Sequence, residues 1–127
     1  MITDVNMDIK DIQIQLEKMR QAFLVQLPQR MRMMESELLE IQEAIQEEKS
    51  DLLHDLLTQA YRSAHSLTGA GGTFGLQEVT ESARELEDVL SHFMQSNTHL
   101  DNQDYTAILG QFGKLKTVVT ATYESKF

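Results

Sequence analysis

Apolar residues recur at three- and four-residue intervals along almost the whole chain, and that period admits helices and little else. Val5, Ile9, Ile12, Leu16, Met19, Phe23 and Leu27 form the first run, with Asp4 as its candidate N-cap. Met31, Met34, Leu38, Ile41 and Ile45 continue the stripe beyond Pro28. Pro28 has no N–H to donate and its ring crowds the preceding turn, so the sequence predicts a break or kink near Leu27, with Pro28 opening a second helix. The preserved phase also admits one long bent helix. The polar run from Gln46 to Ser50 closes this part, and Ser50 is the candidate cap of a third helix starting at Asp51.

That third helix carries Leu53, Leu56, Leu57, Ala60, Ala64 and Leu67 on one stripe and should end near Gly71 or Gly72. After Gly75, the residues Leu76, Val79, Ala83, Leu86, Leu90 and Phe93 mark a fourth helix that frays from Gln95 to His99. Asp101 or Asn102 caps a fifth, with Tyr105, Ile108, Leu109, Phe112, Leu115 and Val119 inward. Five helical segments with short links predict an all-α fold, an up-and-down antiparallel four-helix bundle with an additional N-terminal helical segment. A single proline, seven methionines and few glycines outside one central stretch agree with it.

At 127 residues the chain is one domain's worth, residues 1–127. It has no cysteine, so it has neither a disulfide framework nor a thiolate metal site, which suits a cytoplasmic location. Twenty acidic against 11 basic residues leave a net charge of −9, and no basic run interrupts it. Such a surface argues against nucleic acid and anionic membrane as partners. The N-terminus is polar and acidic, unlike a signal peptide, and no apolar run approaches membrane-spanning length.

His65 stands in the most informative stretch. At about 100° per residue it lies roughly 120° from the centre of its helix's apolar stripe, on the rim or the solvent side. Its face neighbours are Tyr61, Arg62, Thr68, Gly69 and Gly72. Two of these five have no side chain, although glycine costs a helix about 0.5–1 kcal/mol relative to alanine. Clearance for another macromolecule approaching the imidazole is one purpose that accounts for the cost. A lone surface histidine followed by a glycine-rich helix end is the other reading, and spacing alone leaves both open.

The motif His65-Ser66-Leu67-Thr68-Gly69, continued by Gly72-Thr73-Phe74-Gly75, resembles that of histidine-phosphotransfer (HPt) domains. Their pattern is His-x-Leu-Lys-Gly with a further glycine some residues on. The Ala64-His65-Ser66 start and the Gly72-Thr73-Phe74-Gly75 end are most similar to the N-terminal phosphotransfer domain of chemotaxis histidine kinases. The resemblance covers residues 21–125 as an HPt core and leaves residues 1–20 as an N-terminal extension. It implies a phosphorelay carrier, not an enzyme in its own right. His65 would accept a phosphoryl group at Nε2 from a kinase or a receiver aspartate and pass it to a response-regulator receiver. In the chemotaxis branch a glutamate on the next helix holds the proton at Nδ1, and the corresponding residue is Glu87. A neutral imidazole with that proton held is the nucleophile such a step needs.

Thr68 departs from the pattern, since most family members have lysine there, one turn from the histidine. Arg84 and Arg62 are the nearby cations that can supply the missing charge, a guanidinium being well suited to phosphate. Gly69, Gly72 and Gly75 are the candidate partner-clearance positions. No cofactor is expected on this chain; the Mg²⁺ that neutralises phosphoryl oxygens is expected on the partner kinase or receiver. No metal site is expected either, because Asp51 and His54 form only half of a carboxylate-histidine motif. His92 and His99 read as solvent-exposed, and Met31, Met33 and Met34 as core or rim. An HPt-fold adaptor or oligomerisation module that carries no phosphate is the competing function, favoured by Thr68 and opposed by His65 and Glu87.

Overall fold

Four helices account for the chain in a computed structural model that describes residues 2–96 and 99–126, with side chains for 8–96 and 99–125. They are α1 (Ile2–Gln46), α2 (Ser50–Thr73), α3 (Gln77–Gln95) and α4 (Asn102–Lys126). Each packs on its two neighbours around the ring α1, α2, α3, α4, as an up-and-down antiparallel bundle requires. Leu27, Ile41, Ala64, Leu67, Val79, Leu86, Leu90, Ile108 and Leu115 of the predicted stripes are all but sealed from solvent, and so is Leu24, which the first stripe leaves out. Leu109, read as inward, is 42% exposed, and Ile9, Ile12, Leu16 and Met19 of the first stripe are exposed as well.

The expected break at Pro28 does not occur, and α1 runs through it as one helix of 45 residues. Pro28 cannot donate to the Leu24 carbonyl, a loss of about 3 kcal/mol in a free helix. Leu24 and Leu27 before it, and Met31 and Met34 after it, are buried on the same side. Four such side chains contribute about 1.5–3 kcal/mol each, which outweighs the proline as long as both halves stay in line. Five predicted segments thus become four helices. Asp4 does not cap α1, which already begins at Ile2; its side chain lies outside the described ones, and Asn97 and Thr98 in the link after α3 lie outside the described residues.

The links are built from local chemistry. Glu48 closes α1 in a left-handed conformation, φ 55°, with Lys49 N–H donating to the Ala44 carbonyl and Glu48 N–H to Ile45. Helix α2 starts at Ser50, one residue earlier than expected, and has no side-chain cap. Gly75, at φ 71°, ends α2 in the same way, with Leu76 N–H on the Gly71 carbonyl and Gly75 N–H on Gly72. This left-handed position is one that glycine takes without strain. Asp101 caps α4 as expected, and reciprocally: Asp104 N–H donates to the Asp101 carboxylate and Asp101 N–H to that of Asp104.

Candidate functional site

His65 leaves α2 toward solvent, with 69% of its side chain exposed, on the flank where α3 lies. Glu87 of α3 meets it there, Oε1 2.5 Å from Nδ1, its own side chain only 13% exposed. A carboxylate accepts, so Nδ1 is the donating nitrogen and Nε2 carries the lone pair. Tyr61, one turn earlier, stacks its ring on the imidazole at 5.9 Å and 11°. The histidine is therefore oriented from two sides and open on a third.

The approach of α3 to α2 depends on small residues. On α2, Ala60, Ala64 and Gly71 are buried, and on α3, which packs against it, so are Val79, Ser82 and Ala83. At Gly71 an added Cβ would stand 2.4 Å from the Thr80 Oγ1 and 3.2 Å from its backbone nitrogen. Thr80 in turn donates its hydroxyl to the Thr68 carbonyl, 3.1 Å, tying the helices together next to the histidine. Gly71 falls in line with Ala60, Ala64 and Leu67, so its burial had a signal in the stripe; its partner Thr80 had none.

Thr68 differs from the expectation that it stands beside His65 on the exposed rim. It is 8% exposed, and its hydroxyl donates to the Ala64 carbonyl one turn back. At about 70° from the stripe's centre, against roughly 120° for His65, it falls under the cover of α3. Gly69 has open space where a Cβ would be, and Gly72 has only the Thr80 hydroxyl at 3.9 Å. Gly75 is also open, though its backbone conformation alone accounts for the glycine.

The cations divide between two flanks. Arg84 is exposed on α3, one turn before Glu87, and engages no partner among the described residues. Arg62 points to the opposite side, where it lines an open groove of about 570 Å³ between α1 and α2 together with Arg30, Met33, Glu37, Ser63 and Ser66. Arg30 lies over the Phe23 ring at 5.1 Å and donates to the Ser66 hydroxyl at 3.4 Å, beside His65 in sequence. Sequence reasoning missed Arg30 because α1 is remote in the chain and carries no motif there. In the groove Glu37 accepts from the Ser63 hydroxyl at 3.0 Å, while its other oxygen is buried without a partner. Burial pushes its carboxyl above the usual range, the Ser63 bond opposes this, and Glu40 adds to it.

His54, His92 and His99 are exposed, as are Met33 and the Asp51 carboxylate, whereas Met31 and Met34 belong to the core. Among the described residues no three His, Cys, Asp or Glu side chains gather as a metal site, and no helix is long and apolar enough to cross a membrane.

Comparison with curated proteins and with solved structures gives no significant match. A protein-family model does match, that of the Hpt domain, over residues 18–121. The matched stretch takes in most of α1 and all of α2 and α3, and with them His65 and Glu87, so that motif, bundle and family model agree: this chain belongs to the Hpt domain family.

Proposed function

We propose that His65 is the phosphorylated residue of a phosphorelay carrier, taking the group from a kinase or a receiver aspartate and delivering it to a response-regulator receiver. The observation that carries this reading is the contact between Nδ1 of an exposed His65 and the largely covered Glu87. In the transfer, the Nε2 lone pair forms the P–N bond as the P–O bond to the receiver's aspartate breaks, and the aspartate leaves as carboxylate. The ring becomes cationic while Nδ1 keeps its proton, and the Glu87 carboxylate stabilises that charge where it develops. The return step retraces the same path. The metal that neutralises phosphoryl oxygens belongs to the partner.

Arg84 is the cation that stands in for the family's usual lysine. It shares a flank with Glu87, one turn away, and has no competing partner among the described residues. Arg62, turned to the α1 groove, is assigned to partner contact instead. Gly69 and Gly72 leave room for the receiver beside the imidazole. The likeness to the chemotaxis kinases' phosphotransfer domain fits the use of a glutamate at position 87.

A phosphorylated receiver incubated with this chain should transfer acid-labile label to it, and His65→Gln should remove the transfer entirely. Glu87→Gln should slow it about ten-fold or more, about 1.4 kcal/mol in the barrier. Arg84→Ala should slow it several-fold. Label persisting in His65→Gln would overturn the assignment of His65, and a wild-type chain that takes up no label would leave the fold as an adaptor.

A further inference from the structure

Beyond the bundle, every described side chain of α1 from Asp8 to Met19 is exposed. Ile9, Ile12, Leu16 and Met19 are 53%, 57%, 47% and 53% exposed. Their spacing of three, four and three residues is that of consecutive a and d positions of a heptad, with no polar residue among them. A single exposed leucine needs no account, but an unbroken row of four over about 15 Å of helix does. The chain's own neighbours fall short of it. The α2–α3 turn meets α1 at Arg20, whose Nε donates to the Phe74 carbonyl at 3.1 Å, and at Phe23, whose ring lies 5.2 Å from that of Phe74. The end of α4 meets α1 lower still, around Pro28 and Met31.

We propose that this row pairs with the same row of a second copy of the chain, the two helices running antiparallel. The row is self-complementary: Ile9 of one copy packs with Met19 of the other, and Ile12 with Leu16, giving four apolar layers without a gap. Direction follows from the position of the bundle. At about 100° per residue the row's centre lies within about 40° of the bundle-facing row of Leu27, Met31, Met34, Leu38 and Ile41. The bundle therefore occupies the side of α1 to which the row points. A parallel partner would bring its own bundle into the same space, whereas an antiparallel partner sets the two bundles at opposite ends.

Charge permits the pairing despite the chain's net −9. The flanking positions are Asp8, Gln13, Gln15 and Arg20, and antiparallel pairing sets Asp8 against Gln15 and Gln13 against Arg20, with no like charges opposed. Each half-exposed side chain has on the order of 80–100 Å² to hide. Eight of them, with the flanking stems, bury about 1,000 Å² in total, at the lower bound for a specific interface. The dimer is accordingly a weak one, with a Kd on the order of 10 μM or above.

Sedimentation equilibrium on the whole chain tests this. The mass should climb from 14.5 kDa toward twice that value between about 5 μM and 1 mM. The double variant Ile12→Lys, Leu16→Lys should stay monomeric throughout, and its unchanged thermal midpoint would show the bundle intact, since both residues are exposed. The chain has no cysteine, so a single spin label at Gln29→Cys reports direction. The antiparallel pair places two labels about 45 Å apart, and a parallel pair under about 25 Å. A wild-type chain monomeric at 1 mM, a dimer that survives both lysines, or the short label distance would each overturn the proposal. So would a monomeric chain whose receiver binding, and nothing else, is weakened by the two lysines.

Discussion

Thr80 lies so close over Gly71 that a Cβ at position 71 would come within 2.4 Å of its Oγ1. Thr80 cannot swing aside freely, because the same hydroxyl donates to the Thr68 carbonyl and its backbone nitrogen is 3.2 Å from that Cβ. Gly71→Ala should lower stability by about 1–3 kcal/mol in urea unfolding, the usual range for overpacking. Combining it with Thr80→Ala should recover part of the loss, a coupling that a double-mutant cycle measures. Simple additivity would mean that the clash is relieved elsewhere.

Gly69, two residues earlier, should behave in the opposite way. No atom lies within 4 Å of its added Cβ, so Gly69→Ala should stabilise the helix by about 0.5–1 kcal/mol. If the bare surface serves a docking receiver, the same variant should transfer phosphoryl groups more slowly. Stability and transfer measured side by side separate these effects, and a gain in stability with unchanged transfer would remove the clearance argument.

Glu48 occupies a left-handed turn, φ 55°, where a side chain carries a steric cost. Glu48→Gly should raise the thermal midpoint, with a gain of about 0.5–1 kcal/mol, since glycine is the usual residue at this position of a helix C-terminus. The two hydrogen bonds from Glu48 and Lys49 back into α1 should persist, visible as unchanged amide protection.

Glu37 makes stability depend on pH. Burial raises its carboxyl above the ordinary value of 4.5, with the Ser63 hydroxyl opposing and Glu40 reinforcing the shift. The native state then holds the proton more readily than the unfolded chain. Stability from this group is therefore greatest below about 4.5, falls as pH rises through the raised native value, and is level above it. Glu37→Gln should flatten that part of the profile in urea midpoints taken between pH 4 and 7. Ser63→Ala, which removes the opposing bond, should steepen it.

The helical stripes, the all-α bundle, the Asp101 cap and the exposure of His65 were legible in the sequence because each follows from a local periodicity or a short-range hydrogen bond. Angular position along one helix says which residues turn inward; it does not say what they meet. Pro28 stays inside α1 because Leu24, Leu27, Met31 and Met34 are buried on both sides of it, an energy that exists only once α2 and α4 are in place. The same holds for Thr68, which the rim of a stripe left undecided until α3 covered it, and for Arg30 beside Ser66, whose nearness is a matter of two helices crossing. Residue identities along single helices thus determined which faces are apolar and where the helices end. The tertiary structure decided that Glu87, which the resemblance names, reaches Nδ1 of His65, and that Ile9, Ile12, Leu16 and Met19 stay about half exposed among the described residues, because contacts between helices depend on packing distances that no local spacing encodes.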